Sequence, residues 1–183
     1  MQLVEEMESV FFPEFEAAHL KCSGRALVVG SKVYKKRKDR RLLYKEVVGV
    51  DMLAGEGVDV VCNLEHTLPA GLGTFYHIDC LSVLEHSRKP WTLAENLQRL
   101  LEPRGTLLLS VPFVWRIHAY PSDYWRFTID GVQLLFPEIE FADLCWGSNT
   151  ALRHGPRVGS ILLDGGNPFF ERTEVYGFGH KKE

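Results

Sequence analysis

Residues 76–111 read YHIDCLSVLEHSRKPWTLAENLQRLLEPRGTLLLSV, and the fold turns on this stretch. Tyr76–Ser82 is a short apolar run with the length of a strand. Thr92–Leu101 (TLAENLQRLL) is an amphipathic helix, closed by Pro103 and Gly105. Thr106–Val111 (TLLLSV) is a second apolar run. A strand, a helix and a further strand in this order form a crossover unit, which places the two strands parallel in one sheet.

The same alternation extends outward. Upstream lie three more short runs: Arg25–Gly30 (RALVVG), Glu46–Asp51 (EVVGVD) and Val58–Asn63 (VDVVCN). Most are continuous apolar segments without polar alternation, as in a sheet covered on both faces. Downstream, Ile129–Phe136 has a helical pattern, while Glu140–Trp146 and Thr173–Phe178 read as strands. Between these strands, Ser148–Pro168 is rich in Gly and Pro and reads as a loop, with room for a short strand at Val158–Leu163. At the other end, Val4, Met7, Phe11, Phe12 and Phe15 have helical spacing, interrupted at Pro13. The expected fold is therefore α/β: a doubly wound sheet of about seven strands, mostly parallel with an antiparallel last strand, and helices on both faces. With 183 residues and no linker or repeat, the chain reads as a single domain over 1–183. Its parts are an N-terminal helical segment (1–22), a core (23–147), and a loop with the last strand (148–183).

Composition narrows the function classes. Hydrophobic residues make up 45% and charged residues 25%, which excludes disordered and fibrous chains. The net charge of −3 excludes a wholesale nucleic-acid coat. Cys22, Cys62, Cys80 and Cys145 are widely spaced, without a C-x-x-C pair, which argues against a zinc cage or a disulfide scaffold. No metal site is expected. Met1–Glu8 is acidic and does not resemble a secretion signal, and no apolar run is long enough to span a membrane, so the expected location is cytoplasmic.

In an open α/β sheet, ligands bind beyond the carboxyl ends of the strands. Asp51 ends the second strand, 21 residues after Gly30, a spacing suited to binding ribose hydroxyls; a common strand-end turn aspartate is the alternative. The segment after the first strand, Gly30-Ser31-Lys32-Val33-Tyr34, has one glycine. Neither G-x-G-x-x-G nor G-x-x-x-x-G-K-[ST] follows, which argues against NAD, FAD and nucleoside triphosphates.

Several motifs resemble those of class I S-adenosylmethionine (SAM)-dependent methyltransferases, in particular the small branch called type 11. They are V-L-E-H at 83–86, E-N-L-Q-R-L-L at 95–101, E-P-R-G at 102–105, S-V-P-F at 110–113 and H-A-Y-P-S-D-Y-W-R-F-T at 118–128. The resemblance covers roughly residues 25–136 and implies a Rossmann-like fold with SAM as cofactor. It implies that Gly30 and Ser31 border the methionine moiety and that Asp51 holds the ribose. Met52 would pack on the adenine, with Asn63 and Leu64 at its edge. Leu81 and Ser82 would face the methyl group and the acceptor, and His86 would close that wall as a substrate contact.

The aromatic segment Trp115–Thr128 follows a strand end and carries the other candidates. His118 and Asp123 are of types able to orient or deprotonate an acceptor hydroxyl or amine, and so are the candidate catalytic residues. A loop hydrogen bond is the alternative for His118. Tyr124 and Trp125 are candidate substrate contacts that also suit lid packing, and Arg126 could pair with Asp123 or with an anionic acceptor. The acceptor would be a small molecule or a partner-presented group.

Two features depart from the family pattern. The first strand end lacks an acid and further glycines, and Lys32–Lys45 has eight Lys or Arg against the single acid Asp39. The run reads as a solvated face or as a clamp for an anionic acceptor. Nucleic acid is only thinly indicated, because no binding module accompanies the run. A methyltransferase acting on an O or N acceptor is the leading reading. The alternative is an inactive relative serving as a binding or regulatory module, and a Rossmann dehydrogenase fails on the missing glycines.

Overall fold

The computed structural model describes residues 10–20, 24–34, 38–66, 68–118, 122–148 and 174–183. Val4, Met7, Cys22 and the suggested strand at Val158–Leu163 lie outside the described residues. The strands are β1 (Val10–Phe11), β2 (Arg25–Val29), β3 (Glu46–Asp51), β4 (Val60–Val61), β5 (Phe75–Leu81), β6 (Leu101–Pro112), β7 (Ile139–Ser148) and β8 (Glu174–Lys181). The helices are α1 (Phe12–His19), α2 (Pro90–Leu100) and α3 (Ile129–Leu135).

Among the described residues, all eight strands form one sheet in the order β1-β7-β8-β6-β5-β2-β3-β4. Seven occupy the positions read from the sequence, and β1 is an addition at the edge, pairing parallel with β7. β8 inserts between β6 and β7 and runs antiparallel to both, while every other pairing is parallel. The last strand alone thus opposes the rest. Leu107, Leu108 and Leu109 of β6 are each fully buried, so side chains on both faces of the sheet are covered.

On one face, Leu93, Ala94 and Leu97 of α2 and Val132 of α3 join Leu27, Ile78, Cys80 and Leu109 in the main core. On the other, Phe15 of α1 packs with Leu108 and Tyr176. Pro90 sits in the first turn of α2, where a missing N–H leaves no hydrogen bond unmade. The last turn is held from β8, where Lys181 Nζ donates to the carbonyls of Gln98 (2.7 Å) and Leu101 (3.1 Å). Pro103 and Gly105, read as helix-stop residues, lie within β6, which starts directly after α2.

Alternation along β5 sends Ile78 and Cys80 to the main core and His77 and Asp79 to the α1 face. There Arg40 donates to Asp79 (2.7 Å) and to Glu16 of α1 (2.5 Å), and the Tyr44 hydroxyl donates to Asp79 (2.8 Å). Arg41 bridges Asp39 and Asp59. Two cations of the basic run therefore hold the β2–β3 connection onto the sheet instead of facing solvent or a ligand. Among the described residues, no helix is long and apolar enough to cross a membrane.

Candidate active site

The carboxyl ends of β2, β3, β4 and β5 open onto a cavity of about 300 Å³, at the lower end of the range of about 300–1,000 Å³ for ligand pockets. Gly30, just past β2, has φ +68°, and a Cβ there would lie 2.8 Å from Val83 Cγ2. Glycine is needed for the turn and for the close approach. Asp51 closes β3 and is 9% exposed. Its Oδ2 accepts from Lys32 N (3.2 Å) and its Oδ1 from Leu53 N (2.9 Å), so backbone amides fix the carboxylate at the cavity wall. Asn63 Oδ1 caps the next turn by accepting from Glu65 N (2.9 Å). Leu64 is buried and Met52 is half exposed.

The far end of the cavity is built from the residues after β5. Ser82 has φ +54°, a left-handed conformation uncommon for a residue with a side chain. His86 Nδ1 lies 2.6 Å from the Ser122 carbonyl. That oxygen can only accept, so Nδ1 carries the proton and a neutral ring leaves Nε2 with its lone pair. Burial holds His86 below the ordinary imidazole range. The His118 ring meets the His86 ring edge-on at 4.8 Å. Its Nδ1 lies 3.0 Å from Asp123 Oδ2, and its backbone N donates to the same oxygen at 2.8 Å.

Arg126 completes this second arrangement. It donates to both oxygens of Asp123 (2.5 and 2.9 Å) and to the carbonyls of Trp115, Arg116 and Trp125. The hydrogen bond from Arg126 holds the Asp123 carboxyl well below the usual carboxylate range. Trp125 Nε1 donates to the Ser87 carbonyl (2.8 Å), and Tyr124 N donates to the Glu85 carbonyl (2.8 Å). The segment after β6 is thereby strapped onto the turn after β5.

Of the site residues expected from sequence, Gly30, Asp51, Met52, Asn63, Leu64, Leu81, Ser82, His86 and His118 line the cavity. Ser31, Asp123, Tyr124, Trp125 and Arg126 do not. Ser31 is buried, and the other four lie behind or beside the wall, committed to hydrogen bonds that hold the strap. Tyr34, Cys62, Glu65 and Ser87 also line the cavity. Glu85 does not line the cavity: its side chain is 1% exposed, next to His86 and His118. Burial, aided by the nearby Asp123 and Glu174 carboxylates, pushes its carboxyl up to about 8.

This fold, with β8 inserted antiparallel between β6 and β7, has counterparts among solved structures. A Burkholderia thailandensis 1,6-didemethyltoxoflavin-N1-methyltransferase, solved with its substrate and S-adenosylhomocysteine (SAH), superposes with TM-score 0.62 at 17% identity, over 93% of this chain and 76% of that one. The fold is that of class I SAM-dependent methyltransferases. The N-methyltransferase NodS of Bradyrhizobium japonicum, solved with SAH, shares this methyltransferase fold with TM-score 0.61 at 11% identity, over 96% and 90% of the two chains. A chain from the Haloferax volcanii complex with the Trm112 methyltransferase activator gives TM-score 0.65 at 12% identity, over 93% and 88%. No protein-family model and no curated protein matches the sequence.

Proposed function

We propose that this protein is a SAM-dependent methyltransferase acting on an oxygen or nitrogen acceptor, as a single domain in the cytoplasm. The observation that carries this reading is Asp51: a carboxylate fixed by two backbone amides in the wall of a cavity that Gly30 keeps open. The residues present suit an adenosine. Asp51 would accept from the ribose hydroxyls, Met52 and Leu64 offer apolar surface for the base, and Gly30 lets the methionine end pass close to the backbone.

When bound, SAM supplies a methyl group already activated on a sulfonium, so no covalent nucleophile is needed from the chain. The chain's task is to position the acceptor and exclude water. Ser82 and Leu81 would confine the acceptor. The Nε2 lone pairs of His86 and His118 would orient it or accept its proton, and Asp123 would fix the His118 ring for that purpose. Tyr124, Trp125 and Arg126 would act by keeping the strap in place.

A second reading, an inactive binding module, is favoured by the single glycine after β2 and by Tyr34 in the cavity wall. Calorimetric titration with SAM and with SAH separates the two. Micromolar binding that is lost in Asp51→Ala supports the enzyme, and absence of heat with either ligand on folded protein overturns it.

A further inference from the structure

Three side chains at the inner end of the cavity converge in a way that methyl transfer does not require. Glu85 Oε1 lies 3.7 Å from His86 Nε2 and 3.8 Å from His118 Nε2. One donor atom from each of the three lies within 4.8 Å of the other two. A tetrahedral ion with bonds of about 2.1 Å holds its ligands about 3.4 Å apart, so closing the set takes a few tenths of an ångström along the two Glu85 separations and at most about 1.4 Å between the two imidazole ligand atoms.

The surroundings of these atoms fit the same use. Each imidazole has its Nδ1 engaged from behind, His86 by the Ser122 carbonyl and His118 by the Asp123 carboxylate. This fixes both tautomers and leaves both Nε2 lone pairs directed inward, the arrangement in which outer partners orient metal-ligating histidines. Glu85 Oε2 is buried and, among the described residues, without a hydrogen-bond partner. A buried carboxylate in that condition lacks compensation for its lost hydration. Asp123 lies close enough to act on it electrostatically, and Arg126, the cation nearest in this network, is already forked onto Asp123.

We propose that Glu85, His86 and His118 form a binding site for one divalent transition-metal ion, of which zinc is the best match to two imidazoles and a carboxylate. The set departs from the sequence-based expectation of no metal. His86 and His118 line the cavity while Glu85 lies behind them. The ion's remaining positions therefore face the cavity, where water or an oxygen of a bound ligand completes the shell. With the ion present, the two Nε2 lone pairs hold metal instead of taking a proton.

The test is a titration of chelator-treated full-length protein with Co2+ and Zn2+ in the absence of SAM, so that its outcome does not depend on whether the cofactor reading holds. The expected result is one equivalent of Co2+ bound, with visible d–d absorption that Zn2+ abolishes. Glu85→Gln, His86→Gln and His118→Gln should each weaken binding at least tenfold, and Asp123→Asn should weaken it less. The exposed His66 and His180 serve as controls, and their replacement by Gln should change nothing. Circular dichroism identifies any variant that fails to fold, and His118→Gln, on the strap and away from the core, decides the matter if Glu85→Gln does not fold. No binding by the wild-type protein at micromolar concentration overturns the proposal, as does binding that survives in folded His118→Gln.

Discussion

The Asp123 carboxylate takes both the backbone N–H and the ring Nδ1–H of His118, at 2.8 and 3.0 Å, through the same oxygen. One side chain thus sets both the path of the strap and the tilt of an imidazole in the cavity wall. Asp123→Asn keeps a carbonyl for the backbone amide but loses the charge that Arg126 grips. A loss of about 2 kcal/mol in urea unfolding is expected, in line with charge-assisted hydrogen bonds. Asp123→Ala, which also frees the amide, should lose more.

Arg40 joins Glu16 of α1 to Asp79 of β5, whose side chain is 1% exposed. Removing one member of such a pair leaves the other charge buried, so Arg40→Met should cost about 3 kcal/mol. Lys38→Ala and Lys45→Ala, both at exposed positions, should stay within about 0.5 kcal/mol of the parent. Denaturation midpoints of the three variants check the contrast. Equal losses would mean that the basic run acts as an undifferentiated patch.

His77 is buried with its ring between Tyr44 and Thr106 and in the field of Arg40 and Asp79. Desolvation, aided by Arg40, lowers its pKa to about 4. The unfolded chain takes up this proton first, near pH 6.5, as acid is added. The stabilisation is therefore present above pH 6.5 and is lost as the pH falls to 4, by up to about 3 kcal/mol. His77→Gln should flatten the stability profile across that window. A difference between parent and variant that stays constant from pH 7 to 4 would contradict the assignment.

Gly30→Ala forces a left-handed residue against Val83, at an expected cost of about 1–2 kcal/mol. Adding Val83→Ala removes the clash but not the backbone strain, so the double variant should recover only part of the loss. Full recovery would show that the contact alone requires glycine.

The strands were legible in the sequence because an apolar run buried on both faces is unlike any helix face: RALVV, EVVGVD and TLLLSV all form strands. β1 was not, because Val10 and Phe11 form a two-residue strand next to a helical spacing. Pro13 looked like an interruption and instead lies in the opening turn of α1. At the site, residues directly after the strands were legible, since the topology alone sends them to the cavity. Glu85, within V-L-E-H, gave no sign that its side chain points inward. The Arg40, Tyr44, His77 and Asp79 cluster joins residues 33 to 39 positions apart, and no local pattern encodes such a pairing. Asp123 and Arg126 pair with each other, as their chemistry allowed, and hold the strap, because a polar residue in a loop can serve the loop itself.

β8 separates β7 from β6, and the edge strand β1 reaches the sheet only through β7. Until Glu174–Lys181 docks, two strands have no place to attach, and the Lys181 hold on the end of α2 is absent as well. Folding should therefore reach a stage in which the parallel strands β2 to β6 have gathered while the far edge still waits. In that interval β6 offers a free row of amides and carbonyls to any extended chain nearby. The same central insertion that gives the finished sheet its continuity makes the order of its assembly a hazard, one that excess β8 peptide added during refolding should worsen.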